Sequence, residues 1–241
     1  MRIIRIAKIV WIYFWAVTMT LVLFIPMILA SLLSSTGNLA FSISKIWAWV
    51  MLMASNARVE INGKEKIKKG QAYVIISNHQ SVFDILAIVT SLGIQYRWTI
   101  KKEVLKIPFF GHALYASRNI FIDRSNLERA RESIRKGLDR LPAGVSVIFF
   151  AEGTRSHDGK LRDFKKGGFV VALERNFPIL PITVNGSRNI LPKGSIVFKP
   201  GRISVVVGDP IETRGYTHES MGELMEKTRK VVQSNLVLDD N

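Results

Sequence analysis

The sequence predicts an α/β fold: a mixed, largely parallel sheet flanked by helices, preceded by an N-terminal pair of hydrophobic helices that meets a membrane. Three observations predict it. Beyond residue 56, short apolar runs of strand length alternate with amphipathic stretches of helical length, the pattern of a sheet built with crossover helices. Before that boundary, residues 9–44 hold no charged side chain at all. Two of the apolar runs lead straight into polar turns, at residues 78–84 and 152–156, and an α/β fold exposes its reactive groups beyond such strand ends.

The first eight residues carry Arg2, Arg5 and Lys8. As a helix, residues 9–33 would be roughly 37 Å long, against a hydrocarbon core of about 30 Å. Pro26 is a candidate kink. Residues 34–38, Ser-Ser-Thr-Gly-Asn, read as a turn. Residues 39–54 read as a second apolar helix, interrupted only by Lys45, and its Trp47 and Trp49 suit an interfacial depth. A cleaved signal peptide would share the basic start, but this apolar region is too long for one. A single crossing would put the basic flanks on opposite sides, the second flank holding Arg58, Lys64, Lys66, Lys68 and Lys69. Positive flanks at both ends favour a hairpin with both ends cytoplasmic, spanning the bilayer or dipping into one leaflet. The expected division is residues 1–56 as a membrane-associated hairpin and residues 57–241 as an α/β domain, held at the cytoplasmic face of the inner membrane.

In the α/β part, residues 58–61 read as a strand ending at Asn62-Gly63, residues 72–77 as a buried strand, and residues 83–92 as a helix. Residues 96–100 form a core strand. Residues 107–112 contain Pro108 and Gly111 and read as a loop or broken helix. Residues 119–123 make a short strand. Ser125 with Glu128 forms a capping box for a helix with Leu127, Ala130, Ile134, Leu138 and Leu141 on one face; its arginines make a solvated opposite face. Residues 145–150 are a strand and 167–174 a helix. Residues 179–184, 195–198 and 203–207 are strands, and 217–234 a closing amphipathic helix.

Composition bounds the function. With no cysteine among 241 residues, disulfides, thiolate-bound metals and a thiol nucleophile are excluded together. The four histidines show no metal-ligand spacing, so no metal site is expected. A formal net charge of +15 favours an anionic partner: nucleic acid, anionic lipid, a phosphorylated substrate or an acidic carrier. For nucleic acid the basic helix after Ser125 is the only candidate reader.

The chemistry gathers in four stretches. In Asn78-His79-Gln80-Ser81-Val82-Phe83-Asp84, an imidazole and a carboxylate stand five residues apart. Positions five apart on a regular helix differ by about 140° in azimuth. The two therefore meet only if His79 sits in the turn and Asp84 inside the helix. A base with an orienting acid is the minimum equipment for activating a hydroxyl. In Glu152-Gly153-Thr154-Arg155-Ser156, glycine permits close backbone approach and Arg offers a bidentate fork for phosphate; Glu152 can bond a hydroxyl or hold Arg155. In residues 121–124, Arg124 emerges at a strand end, where Asp123 can orient it. Lys101 or Lys102, also at a strand end, would complete a cluster of three cations with Arg124 and Arg155. The fourth stretch, Leu180-Pro181-Ile182-Thr183-Val184, is an apolar strand.

Together the four stretches resemble the glycerolipid acyltransferase superfamily, and within it the 1-acyl-sn-glycerol-3-phosphate acyltransferases. Asn78, His79, Ser81 and Asp84 match N-H-x-S-x-x-D. Lys101, Glu103, Pro108, Gly111 and residues 121–124 match the second block, with Val104 in place of Leu. Phe150, Glu152, Gly153, Thr154, Arg155 and Ser156 match F-P-E-G-T-R-S, with Ala151 where Pro is usual. Pro181, Ile182 and Val184 match V-P-I-x-V, with Leu180 first. The blocks keep their order from Asn78 to Val184, and the hydrophobic pair is similar to the two-helix membrane motif of bacterial members.

The resemblance implies transfer of an acyl group from a thioester to the sn-2 hydroxyl of lysophosphatidic acid, giving phosphatidic acid. It implies His79 as general base and Asp84 as its orienting acid. Arg124, Arg155 and Lys101 are expected to bind the phosphate, and Glu152, Gly153 and Thr154 to position the glycerol. No cofactor is implied beyond the co-substrate, acyl-coenzyme A or acyl carrier protein. With no Cys and no Gly-x-Ser-x-Gly elbow, direct transfer is expected. The oxyanion donor is sought among backbone N–H groups near His79 or in the third block. Acceptors such as lyso-ornithine lipid, glycerol 3-phosphate or another lysophospholipid stay open, as does a membrane-tethered nucleic-acid-binding protein.

Overall fold

The computed structural model describes residues 2–237. Met1 and residues 238–241, the outer ends of the two expected units, lie outside the described residues. Two antiparallel helices open the chain, α1 (Arg2–Leu33) and α2 (Asn38–Ala54). Pro26 stands inside a continuous α1. The Trp11 indole donates to the Ala54 carbonyl at 2.9 Å, and the Trp47 indole to Thr20 Oγ1 at 3.1 Å, so the two helices are pinned at two levels. The turn between them is tight against the rest of the molecule. Gly37 has φ 72°, and a Cβ there would lie 2.5 Å from Arg118.

Seven strands follow among the described residues: β1 (Ala57–Asn62), β2 (Val74–Ser77), β3 (Tyr96–Lys101), β4 (Ile120–Ile122), β5 (Ser146–Phe150), β6 (Ile179–Asn185) and β7 (Gly201–Val207). They form one sheet in the order β1-β7-β6-β2-β5-β3-β4. Among these seven strands only the β6–β7 pairing is antiparallel. Strands β2 to β6 therefore all run one way, and their carboxyl ends share one edge of the sheet.

Six further α-helices follow among the described residues: α3 (Phe83–Ser91), α4 (Phe110–Ala116), α5 (Leu127–Leu138), α6 (Gly167–Arg175), α7 (Ser187–Ile190) and α8 (Met221–Ser234). Alternation along the central strands splits the core in two. Ile75, Ile148, Leu180 and Ile182 pack with α3 on one face. Val74, Ile76, Val147 and Phe149 pack with α6 and α8 on the other. Phe41, Ala48, Met51 and Leu52 of α2 belong to the first of these clusters. The hairpin thus lies lengthwise against the sheet unit and shares its core.

Three local expectations are corrected. Residues 195–198 are not a strand. Pro192 and Pro200 bracket them, and the Ser195 hydroxyl bonds locally to Val197, accepting from its N–H and donating to its carbonyl, both at 3.1 Å. Helix α5 is capped by Asn126, whose Oδ1 accepts from the Arg129 N–H at 2.8 Å, and not by Ser125, whose N–H is taken by Asp123. Leu127 consequently falls in the first turn and stays exposed. Helix α8 begins at Met221, because Thr217 and Ser220 bond each other in a turn before it.

Candidate active site

The site sits beyond the carboxyl ends of the parallel strands. Register brings the ends of β2, β5 and β6 side by side, with Ser77 opposite both Phe150 and Ile182. Each of these strands passes into a polar turn, so the first block, the third block and the start of α7 meet there.

The first block is fixed from both sides. Asn78 is buried, and its amide bonds the backbone of Val184 twice: Nδ2 donates to the carbonyl at 2.9 Å and Oδ1 accepts from the N–H at 2.8 Å. The fourth block thereby holds the turn that carries His79. His79 sits in that turn and Asp84 in the first turn of α3. Their contact, Nδ1 to Oδ2, is 2.8 Å. Asp84 is fully buried. Its Oδ2 also accepts from the N–H groups of Gln80 at 2.6 Å and Ser81 at 2.9 Å. Its Oδ1 accepts from the Ser187 hydroxyl. An ionised carboxylate can only accept, so His79 Nδ1 is the donor in this contact, and the neutral imidazole keeps its lone pair on Nε2. Among the described residues Nε2 has no partner.

The ring plane is set by stacking. The imidazole lies on Phe150, centroids 3.8 Å apart and planes 8° from parallel, and Phe150 lies on Trp98 at 5.6 Å. Trp98 also lines an apolar pocket shared with Leu23, Trp47, Leu86, Val89 and Phe110. The hairpin and the sheet unit therefore build that pocket jointly, and it starts two rings away from His79.

The third block surrounds a buried carboxylate. Glu152 Oε1 accepts from the His79 N–H at 2.8 Å and Oε2 from the Arg162 N–H at 3.1 Å. Among the described residues it makes no bond to Arg155; it braces the two turns. Burial raises its pKa above the usual carboxylate value, against the two backbone donors. Gly153 adopts φ 72°, the left-handed conformation that turns the chain after β5. The Ser156 N–H returns to the His79 carbonyl at 2.8 Å.

The expected cluster of three cations is only partly assembled. Arg124 Nη1 donates to the Gly153 carbonyl at 3.2 Å, so the second block does touch the third. Arg155 stands in the loop itself. Lys101 turns instead toward Glu103, 3.8 Å away, and Lys102 is held by Asp123 at 2.7 Å. Asp123 thus orients Lys102 rather than Arg124, and its pKa is pushed below the carboxylate range, first by the Lys102 hydrogen bond. A cation that motif reasoning missed takes part. Lys193 Nζ donates to the Arg155 carbonyl at 2.9 Å and lies 3.4 Å from Thr154 Oγ1. Ser187 was missed as well, although it follows a strand end and Gly186 just as His79 follows one. Of the backbone donors sought for an oxyanion, those of His79, Gln80 and Ser81 are all engaged. Among the described residues, no group of three or more His, Asp or Glu side chains could hold a metal ion.

The comparisons with known proteins agree with this geometry. A family model described as Acyltransferase matches residues 58–185. A 1-acyl-sn-glycerol-3-phosphate acyltransferase of Pseudomonas aeruginosa is 31% identical over 189 residues, covering 78% of this chain and 72% of that protein. A chloroplastic 1-acyl-sn-glycerol-3-phosphate acyltransferase of Brassica napus is 33% identical over 70% of this chain, which spans about half (49%) of that relative's length. The crystal structure of the 1-acyl-sn-glycerophosphate (LPA) acyltransferase of Thermotoga maritima superposes with a TM-score of 0.84 at 26% identity, covering 98% of this chain and 95% of that one. The chain belongs to the 1-acyl-sn-glycerol-3-phosphate acyltransferase family.

Proposed function

We propose that the protein transfers a fatty acyl group from an acyl thioester to the sn-2 hydroxyl of 1-acyl-sn-glycerol 3-phosphate, forming phosphatidic acid in phospholipid biosynthesis. The observation that carries the reading is the His79–Asp84 pair at 2.8 Å, a buried carboxylate on a partly exposed imidazole whose Nε2 is unpartnered among the described residues. Nε2 takes the proton of the sn-2 hydroxyl as its oxygen attacks the thioester carbonyl. Asp84 holds the tautomer and steadies the imidazolium. The tetrahedral intermediate collapses with cleavage of the carbon–sulfur bond, and the imidazolium returns the proton to the departing thiolate. The ester, the free thiol and neutral His79 are the products.

Arg124 and Arg155 bind the substrate phosphate beside Gly153 and Thr154. Lys101 serves as a more distant cation at the rim. The acyl chain enters the apolar pocket behind Trp98. The thioester is carried by coenzyme A or by acyl carrier protein, and a net charge of +15 suits either anionic carrier. No further cofactor enters the scheme.

We read residues 1–56 as the membrane-associated unit and residues 57–241 as the catalytic one. α1 is long and apolar enough to cross a membrane. Its outward residues, among them Val10, Phe14, Val17, Leu21 and Ile25, are exposed large hydrophobics. The helix also touches the sheet unit at two distant levels. Lys8 lies 5.8 Å over the Phe198 ring, and Phe24 packs on Phe109 at 5.2 Å. A hairpin docked along its length cannot cross the bilayer without dragging polar surface into hydrocarbon. It fits one leaflet, with the site at the cytoplasmic face, where a bilayer-bound lysolipid meets a soluble donor.

The test is labelled acyl transfer to lysophosphatidic acid with both donors, comparing wild type with His79→Ala. Product from wild type alone, with turnover at least about a hundredfold lower in the variant, is the expected result. Turnover above a few percent in pure, folded His79→Ala would remove the base assignment. Inactivity of wild type on lysophosphatidic acid, with activity on another lysolipid, would reassign the acceptor.

A further inference from the structure

We propose that Ser187 is a positioning residue for the reaction: its hydroxyl fixes the plane of the Asp84 carboxylate and through it the aim of His79. The proposal rests on the reading of His79 as base. Three donors, His79 Nδ1 and the N–H groups of Gln80 and Ser81, all converge on Asp84 Oδ2. The motion left to the carboxylate is rotation about its Cβ–Cγ bond, which carries both oxygens off their partners together. The Ser187 hydroxyl bonds Oδ1 and opposes that rotation from the other oxygen. Both residues are fully buried, so no water stands ready to replace the hydroxyl.

Ser187 is delivered there by the chain path. Gly186 has φ 78°, and a Cβ on it would collide with the Arg202 carbonyl oxygen. This residue turns the end of β6 into α7 and presents Ser187 as the first helical residue. The same segment is then tied to the blocks on either side. The Leu191 carbonyl accepts from Ser81 Oγ at 2.7 Å, and Lys193 Nζ reaches the Arg155 carbonyl at 2.9 Å. A segment some 100 residues from the first block in sequence (Asp84 and Ser187 are 103 apart) thus supplies the outermost member of a hydroxyl–carboxylate–imidazole chain.

The experiment is steady-state acyl transfer by the full chain in detergent or vesicles with lysophosphatidic acid. It compares wild type, Ser187→Ala, Ser187→Cys, His79→Ala and the double variant His79→Ala/Ser187→Ala, with Tm recorded for each. Removing a partner that orients a metal-bound imidazole typically costs about 10- to 100-fold in affinity or activity, and the same scale is taken for an imidazole base. Ser187→Ala is expected to lose kcat on that scale, with KM for both substrates within about twofold of wild type. The double variant should be no slower than His79→Ala, because the hydroxyl acts only through the imidazole. Ser187→Cys keeps the shape with a weak donor and is expected to lose kcat in the same direction; it is read in place of Ser187→Ala if that variant does not fold. Full kcat in either folded Ser187 variant overturns the proposal. A further drop in the double variant below His79→Ala also overturns it. If His79→Ala is inactive while the Ser187 variants are unimpaired, only the positioning role falls. If His79→Ala turns over like wild type, the base assignment fails and takes the positioning role with it.

Discussion

Two turns at the carboxyl edge of the sheet both carry an aspartate beside a cation or imidazole, and they are built in opposite ways. After β2, in the first turn of α3, Asp84 is fully buried and both its oxygens are occupied, by donors from the His79–Ser81 turn and from Ser187. In the turn after β4, Asp123 is only partly buried and holds Lys102, whose side chain is 44% exposed. The first arrangement costs about as much to desolvate as its hydrogen bonds return, and in exchange the imidazole has one orientation. The second is screened by water and leaves its lysine free to move. Proton transfer needs a donor and acceptor held to within a few tenths of an ångström, whereas a doubly charged phosphate is attracted from any direction. The molecule is rigid where geometry decides and loose where charge is enough.

Breaking the buried turn should have the largest effect. Asp84→Asn keeps the size but places an amide where a donor must be accepted, so His79 loses its tautomer. A fall in kcat of about 10³- to 10⁴-fold is expected, read by single-turnover acyl transfer. A loss of less than tenfold would mean that the carboxylate is a structural brace only. Arg155→Ala comes next. Its guanidinium belongs to the adjustable side, so KM for the lysolipid should rise about tenfold with kcat changed much less. An unchanged KM with a lowered kcat would move Arg155 to the reacting atoms.

The smallest effect is expected at Asp123. Its folded pKa lies below its unfolded value, so the Lys102 contact stabilises above the unfolded carboxylate value of about 3.9 and is lost as pH falls through the folded one. Asp123→Asn should therefore melt slightly below wild type at pH 7, and the gap should narrow toward pH 3. A gap that widens on acidification would show that the pair is not what Asp123 contributes. Glu152 gives the reverse sign. Its pKa is raised by burial, so native protein binds the extra proton and stability falls as pH rises through the window that starts near 4.3. The stability advantage of wild type over Glu152→Gln should be largest near pH 4 and shrink toward neutrality.

The legible parts of the chain were those whose signals are local. The apolar run of α1, the two helices of the hairpin, the buried strands β2, β5 and β6, and the placement of His79 in a turn with Asp84 inside a helix all follow from periodicity and turn residues. Misreadings arose where a side chain outcompeted the backbone pattern. Ser195 took Val197 out of a strand, and Asn126 displaced Ser125 as the cap of α5. In the site, the motif residues of the first and third blocks do come together. The brace from Glu152 to the N–H of His79 was not legible, because nothing in its own neighbourhood shows that a donor 73 residues away needs an acceptor.

By itself the sequence determined the fold class, the hydrophobic hairpin, the basic surface and which residue types stand at the strand ends. Those depend on patterns a few residues long. The tertiary structure decided the partnerships: Asn78 with Val184, Glu152 with His79, Ser187 with Asp84, Lys102 with Asp123. Each joins groups 21 to 106 residues apart, and each exists only because strand order and register bring separate turns to one edge of the sheet. Local chemistry puts a base, a carboxylate and cations in the chain, but which of them touch is a property of the sheet.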